Sequence, residues 1–148
     1  MNTKEEMVSE LRKYFFGKAQ DYGLEMAFLY GSWARGFPKE DSDVDIAVFF
    51  SKENGPEDEF FRQINDISPI LEKELGRQVN IIVIRPDFDK PMLYYNAIAL
   101  GIPVYIRDKA KYLAVRNEAI HQMEDFSIFG PEWQLSIARK NLEAIKYG

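Results

Sequence analysis

The chain has no cysteine. Disulfides, thiolate metal sites and thiol chemistry are therefore excluded. It has one histidine, His121, so a histidine-rich metal site is excluded as well. Basic residues are not in excess: 19 Lys and Arg face 24 Asp and Glu, for a net charge of −5. That balance argues against a broad electrostatic nucleic-acid footprint, while leaving room for a local basic groove. Met1-Asn2-Thr3-Lys4-Glu5-Glu6 lacks the apolar core of a signal peptide, and no apolar run approaches membrane-spanning length. A cytoplasmic protein with no membrane partner is expected. Repeats, low-complexity tracts and long linkers are also missing.

What is present is an ordinary globular composition, 46% hydrophobic and 29% charged. A length of 148 residues suffices to bury a core as one domain. The expected organisation is a single domain over 1–148, with a core over 1–107 and a helical C-terminal extension over 108–148.

Periodicity orders the elements. Thr3 and Glu6 form a T-x-x-E capping box before a helix whose apolar positions are Met7, Val8, Leu11, Phe15 and Ala19. Leu24–Tyr30 reads as a strand ending at Gly31, and Ile46–Phe50 as part of a second. Asn54-Gly55-Pro56 marks a break. Phe60, Ile64, Ile67, Leu71 and Leu75 then line one face of a helix, with Gly76 at its C-terminal cap. Pro69 lies inside it, so a kink or two shorter helices are expected. Gln78–Ile84 reads as a third strand. Asp89 is placed to cap a helix that has Pro91 in its first turn and stops at Gly101. Pro103–Arg107 reads as an edge strand because of its proline. From Asp108 the pattern is helical, divided at Gly130-Pro131. The order α-β-β-α-β-α-β-α-α predicts a mixed α/β or α+β fold, a small mixed sheet with helices on one side or end.

The chemistry concentrates between Gly31 and Phe50. Ten residues separate Ser32 from Asp43, and Asp43-Val44-Asp45 runs directly into the second strand. Strand alternation puts Asp43 and Asp45 on one face, roughly 6–7 Å apart along the chain. Glu40 and Asp41 add two further acids nearby. Such carboxylates repel, and a hard divalent cation such as Mg²⁺ removes the repulsion. A plain solvated strand start is the competing reading. Gly31 permits close backbone approach, and Ser32 can present an N–H and a hydroxyl to a phosphate, or simply begin a turn. Arg35 could reach a triphosphate or pair with an acid. Trp33 is expected to pack rather than stack on a base, and Lys39 is a weaker candidate.

Gly31-Ser32, Arg35-Gly36 and Ser42-Asp43-x-Asp45-Ile46 resemble the signature of the DNA polymerase β-like nucleotidyltransferase superfamily. In so short a chain the GS-x10-D-x-D spacing most resembles the minimal nucleotidyltransferases (MNT), which are usually encoded beside a HEPN-domain partner. The resemblance implies a polymerase β-like fold, ATP as nucleotide donor, and Asp43 and Asp45 as metal ligands in a two-metal Mg²⁺ site. Gly31, Ser32 and Arg35 would bind nucleotide, and AMP would pass to a hydroxyl on a HEPN-type toxin.

The family pattern has a third carboxylate on the neighbouring strand, where this chain has Asn80 in Val79-Asn80-Ile81-Ile82-Val83. Asn80 keeps the size and one ligand oxygen but cannot act as a base. Asp87 and Asp89 follow, but seven residues of strand span roughly 23 Å, too far to replace it. A nucleotide- or partner-binding module with weakened turnover is therefore the second reading. An aminoglycoside-type small-molecule enzyme is a third, although such enzymes usually carry a further domain. A template-directed polymerase is set aside for want of additional domains and basic charge. Arg116 and His121 resemble the R-x4-H motif of HEPN domains, and are read as a helix-surface pair. Phe126, Phe129, Trp133 and Tyr147 are expected in the core or at a partner surface. A homo-oligomer is compatible with the sequence.

Overall fold

The computed structural model of the chain describes residues 3–39, 41–51 and 57–125, and the side chains of those residues other than 57 and 58. The chain forms α1 (Lys4–Lys18), β1 (Leu24–Tyr30), α2 (Ser32–Arg35), β2 (Val44–Phe50), α3 (Glu57–Leu75), β3 (Val79–Val83), α4 (Pro91–Ile98) and β4 (Ile102–Ile106). A further helix, α5, covers 109–125. The strands make one mixed sheet in the order β3-β2-β1-β4. β1 pairs antiparallel with both β2 and β4, and β2 pairs parallel with β3. A parallel pair needs a crossover, and α3 supplies it.

The sheet is covered on both faces, because the apolar residues of each inner strand point both ways. On one face Leu24, Leu29, Ile46 and Val48 pack with Met7, Leu11 and Phe15 of α1 and Ile67 and Leu71 of α3. On the other, Met26, Phe28, Ala47 and Phe49 pack with Tyr94, Ala97 and Ile98 of α4 and Ala119 of α5. The expected placement of helices to one side or end is thus corrected: two separate apolar stripes per strand require two helical layers. A register shift between Leu24 and Met26 resets the alternation of β1. Glu25 falls at that irregularity and is buried, with the Arg107 guanidinium at 3.4 Å and the Lys111 ammonium at 3.7 Å. These pairs tie the end of β4 and the first turn of α5 to β1.

Local signals hold in part. The Glu6 N–H donates to Thr3 Oγ1 at 3.1 Å, as the capping box requires. β4 lies at the sheet edge, where its proline is tolerated. α3 continues through Pro69 as one helix rather than two. Pro69 is exposed, so the carbonyl it leaves without a donor can bind water. Asp89 does not cap α4. Lys90 is the N-cap residue, and Asp89 instead accepts the Tyr94 hydroxyl at 2.6 Å. The division at Gly130-Pro131 and the tail aromatics lie outside the described residues. No helix among the described residues is long and apolar enough to cross a membrane.

Phe15 and Phe16 are adjacent on α1, yet Phe15 is fully buried and Phe16 is 88% exposed. Phe15→Ala should cost about 3–5 kcal/mol in denaturant unfolding. Phe16→Ala should change stability by less than about 0.5 kcal/mol. Equal effects from the two would contradict the assigned face of α1.

Candidate active site

Register brings the site together. β2 pairs Asp45 with Tyr30 of β1 on one side and with Asn80 of β3 on the other. The three residues form a row across one end of the sheet, on the face that α4 and α5 cover further along. Asp43 stands one residue before β2 begins. Its carboxylate still joins the row: Asn80 Nδ2 donates to Asp43 Oδ2 at 3.1 Å and to Asp45 Oδ1 at 3.5 Å. Asn80 thus stands against both carboxylates. Asp87 lies with Arg85 at 3.7 Å, and Asp89 lies with Tyr94. Neither joins the row.

Gly31 closes the site from the β1 side. It has φ 76° and ψ −151°, a region that residues with a Cβ avoid. A Cβ built there would stand 2.5 Å from Asp45 Oδ2. The backbone conformation thus requires glycine, and a Cβ there would also displace the Asp45 carboxylate from the turn. Asp45 consequently divides its oxygens, Oδ1 toward Asn80 and Oδ2 toward the Gly31-Ser32 turn. Ser32 opens the single helical turn α2, and Arg35 ends it as an exposed side chain. The Arg35 N–H donates to the Gly31 carbonyl at 3.1 Å, and Gly36 caps the turn in the left-handed region.

Trp33 packs, as expected, and is 1% exposed. Its indole N–H donates to the Ser42 carbonyl at 3.4 Å, and the Arg77 guanidinium lies 4.8 Å above its ring. Ser42 Oγ accepts the Lys39 N–H at 2.7 Å. The loop that delivers Asp43 is therefore pinned to a buried side chain of α2. Lys39 contributes backbone here, and its side chain is exposed.

Electrostatics follow from burial. The Asp45 carboxyl is held above its ordinary pKa by desolvation, with the nearby Asp43 charge adding to the effect and the Asn80 hydrogen bond opposing it. Tyr30 is pushed up to about 12, first by burial and then by the Asp45 charge. Its hydroxyl therefore remains a neutral donor beside Asp45 at physiological pH. Sequence reasoning did not single out Tyr30 or Arg77. Tyr30 does sit directly before the Gly-Ser pair, and the phase of β1 relative to β2 would have revealed it. Nothing local marks Arg77, whose place depends on the packing of Trp33.

The donor set suits a hard cation. Two carboxylates converge on one amide hydrogen-bond donor, so a positive centre is favoured between them. Among the described residues no group of three or more His, Cys, Asp or Glu could hold a metal ion. A separate hollow of about 540 Å³ lies toward the other end of β3, lined by Phe60, Ile64, Ile84, Leu93 and Tyr94 among others. It is mostly apolar and contains neither carboxylate. His121 is exposed on α5, 4.0 Å from Glu124, and makes no contribution here.

Residues 13–110 match the family model described as polymerase beta, nucleotidyltransferase. The Methanocaldococcus jannaschii protein MJ1379, by provisional name a protein adenylyltransferase, is 37% identical over 82 residues, 55% of this chain and 79% of that protein. A chain of a toxin–antitoxin crystal structure with AMP-PNP superposes with a TM-score of 0.65 at 17% identity, over 86% of this chain and 96% of that one. A chain of the tri-AMPylated Shewanella oneidensis HEPN toxin in complex with MNT antitoxin gives 0.61 at 15% identity, over 89% and 97%. At these identities the two structures establish a shared fold.

Two substitutions probe the arrangement. Gly31→Ala should lower stability by about 1–3 kcal/mol through backbone strain and displacement of Asp45. Unchanged unfolding would contradict the geometry of the turn. Asp45 has a folded pKa raised above 3.8, so the folded state binds the extra proton in that window. Stability is then lost as pH rises through the folded pKa. Asp45→Asn should raise the thermal midpoint at pH 7, and the advantage should vanish once pH falls below 3.8. A variant less stable than wild type at pH 7 would refute the assignment.

Proposed function

The chain belongs to the polymerase beta nucleotidyltransferase family, and we propose that it transfers AMP from ATP to a hydroxyl on a protein partner. We infer a HEPN-type toxin as that partner, with this chain as the antitoxin of the pair. The observation that carries the reading is the convergence of Asp43, Asp45 and the Gly31-Ser32 turn at one end of the sheet. The adenylyltransferase relative supports AMP as the transferred group, and the fold shared with chains of MNT–HEPN complexes supports the partner class.

The reaction joins the acceptor oxygen to the α-phosphorus of ATP. The bond from that phosphorus to the bridging α–β oxygen breaks, pyrophosphate leaves with the electron pair, and the hydroxyl proton is released. Asp43 and Asp45 would hold the divalent cation. Bound there, the cation would neutralise triphosphate charge and stabilise the leaving oxygen. The Ser32 N–H and hydroxyl and the Arg35 guanidinium would orient phosphate oxygens. Asn80 positions the two carboxylates but has no basic site to take the acceptor proton.

That last feature favours a second reading, a chain that binds nucleotide and partner without turnover. One experiment addresses both. Wild type, Asp43→Asn and Asn80→Asp would be incubated with α-labelled ATP, Mg²⁺ and a HEPN-type partner. Label on the partner with wild type, reduced about 100-fold or more by Asp43→Asn, is expected for metal-dependent transfer. Label only with Asn80→Asp would establish the binding module. Full label transfer by Asp43→Asn would refute the site.

A further inference from the structure

Asp45 is divided between two environments. Its Oδ2 faces the Gly31-Ser32 turn, where a nucleotide phosphate would lie, and its Oδ1 faces Asn80. Asp43 Oδ2 faces Asn80 too. An ionised carboxylate only accepts hydrogen bonds, so chemistry fixes which end of the amide points at the pair: the nitrogen, with its two hydrogens. On the β3 side the carboxylates thus meet the positive end of the Asn80 amide. In a site with a third carboxylate, a cation shared by all three would lie on that side.

From this asymmetry we propose that the site takes one divalent cation with its nucleotide, and that Asn80 excludes a second. The inference rests on the nucleotidyltransferase reading and concerns the number of ions at the same site. A first cation on the turn side is matched by the charges of Asp43 and Asp45. A second, on the β3 side, would meet amide hydrogens. Rotating the amide to offer its oxygen would forfeit both hydrogen bonds and still add no negative charge. Among the described residues no third acid stands by to supply it. Activation of the acceptor hydroxyl then falls outside this chain's carboxylate pair, to the acceptor's own surroundings or to solvent.

The test counts ions rather than turnover. Wild type and Asn80→Asp would each be saturated with a stoichiometric amount of a non-hydrolysable ATP analogue. Manganese would then be titrated in, with free Mn²⁺ read by electron paramagnetic resonance. Wild type should bind one ion per chain. Asn80→Asp should bind two, the second at least about tenfold tighter than any second ion on wild type. Two ions of similar affinity on wild type would overturn the proposal and leave the nucleotidyltransferase reading standing. One ion on both proteins would remove Asn80 as the cause. No ion and no retained nucleotide on either would overturn the reading itself. The wild-type count decides the stoichiometry even if the variant fails to fold.

Discussion

Asp43 and Asp45 repel each other, and neither can turn away. Asp45 is fixed by strand alternation: Ile46 and Val48 are buried against α1 and α3, while Ala47 and Phe49 are buried on the opposite face. Rotating β2 to separate the acids would pull both sets out of their cores, at a cost far above the repulsion. Asp43 is fixed by the loop before it, which Trp33 and Ser42 pin from behind. The apolar packing therefore sustains an electrostatic arrangement that the acids alone would not adopt. Their shared contact with Asn80 relieves part of the strain without removing charge. Partial burial of Asp45 adds to it.

Such a site is poised for a positive ligand. Anything that binds the folded pair and not the unfolded chain stabilises the fold by mass action. A cation with a triphosphate, held beside the Gly31-Ser32 turn, would do so. Gly31 is what permits the two halves to touch, because the Asp45 carboxylate rests where any other residue would place its Cβ. The backbone of the turn and the carboxylates thus form one surface rather than two neighbouring motifs. The hollow along β3 is mostly apolar, and it has none of this charge geometry.

Much of this was legible before any coordinates. The bounds of β1 and the capping box at Thr3 agree with the structure residue for residue, because a β-prone apolar run that stops at Gly31 and an N-cap are both signals written in a few adjacent positions. Pro69 misled in degree: exposure lets the helix tolerate what a buried position would not. Asp89 misled in kind, because the Tyr94 hydroxyl, five residues on, competes for its carboxylate. The second helical layer was missed because periodicity shows that an element has an apolar face, not which side of a sheet will cover it.

The sequence by itself determined the residue types, their spacing and the alternation that sets Asp45 opposite its apolar neighbours, since these follow from bond geometry and side-chain chemistry. It also carried the substitution at position 80. Folding in three dimensions decided what stands beside Asp45. The β1–β2 register brings Tyr30 to it, and the parallel β2–β3 register brings Asn80. Those pairings join residues up to 35 positions apart, and the Asn80–Asp43 contact spans 37. Their alignment is set by the burial of whole strands against two helical layers, a global free-energy balance that no local stretch of chain encodes.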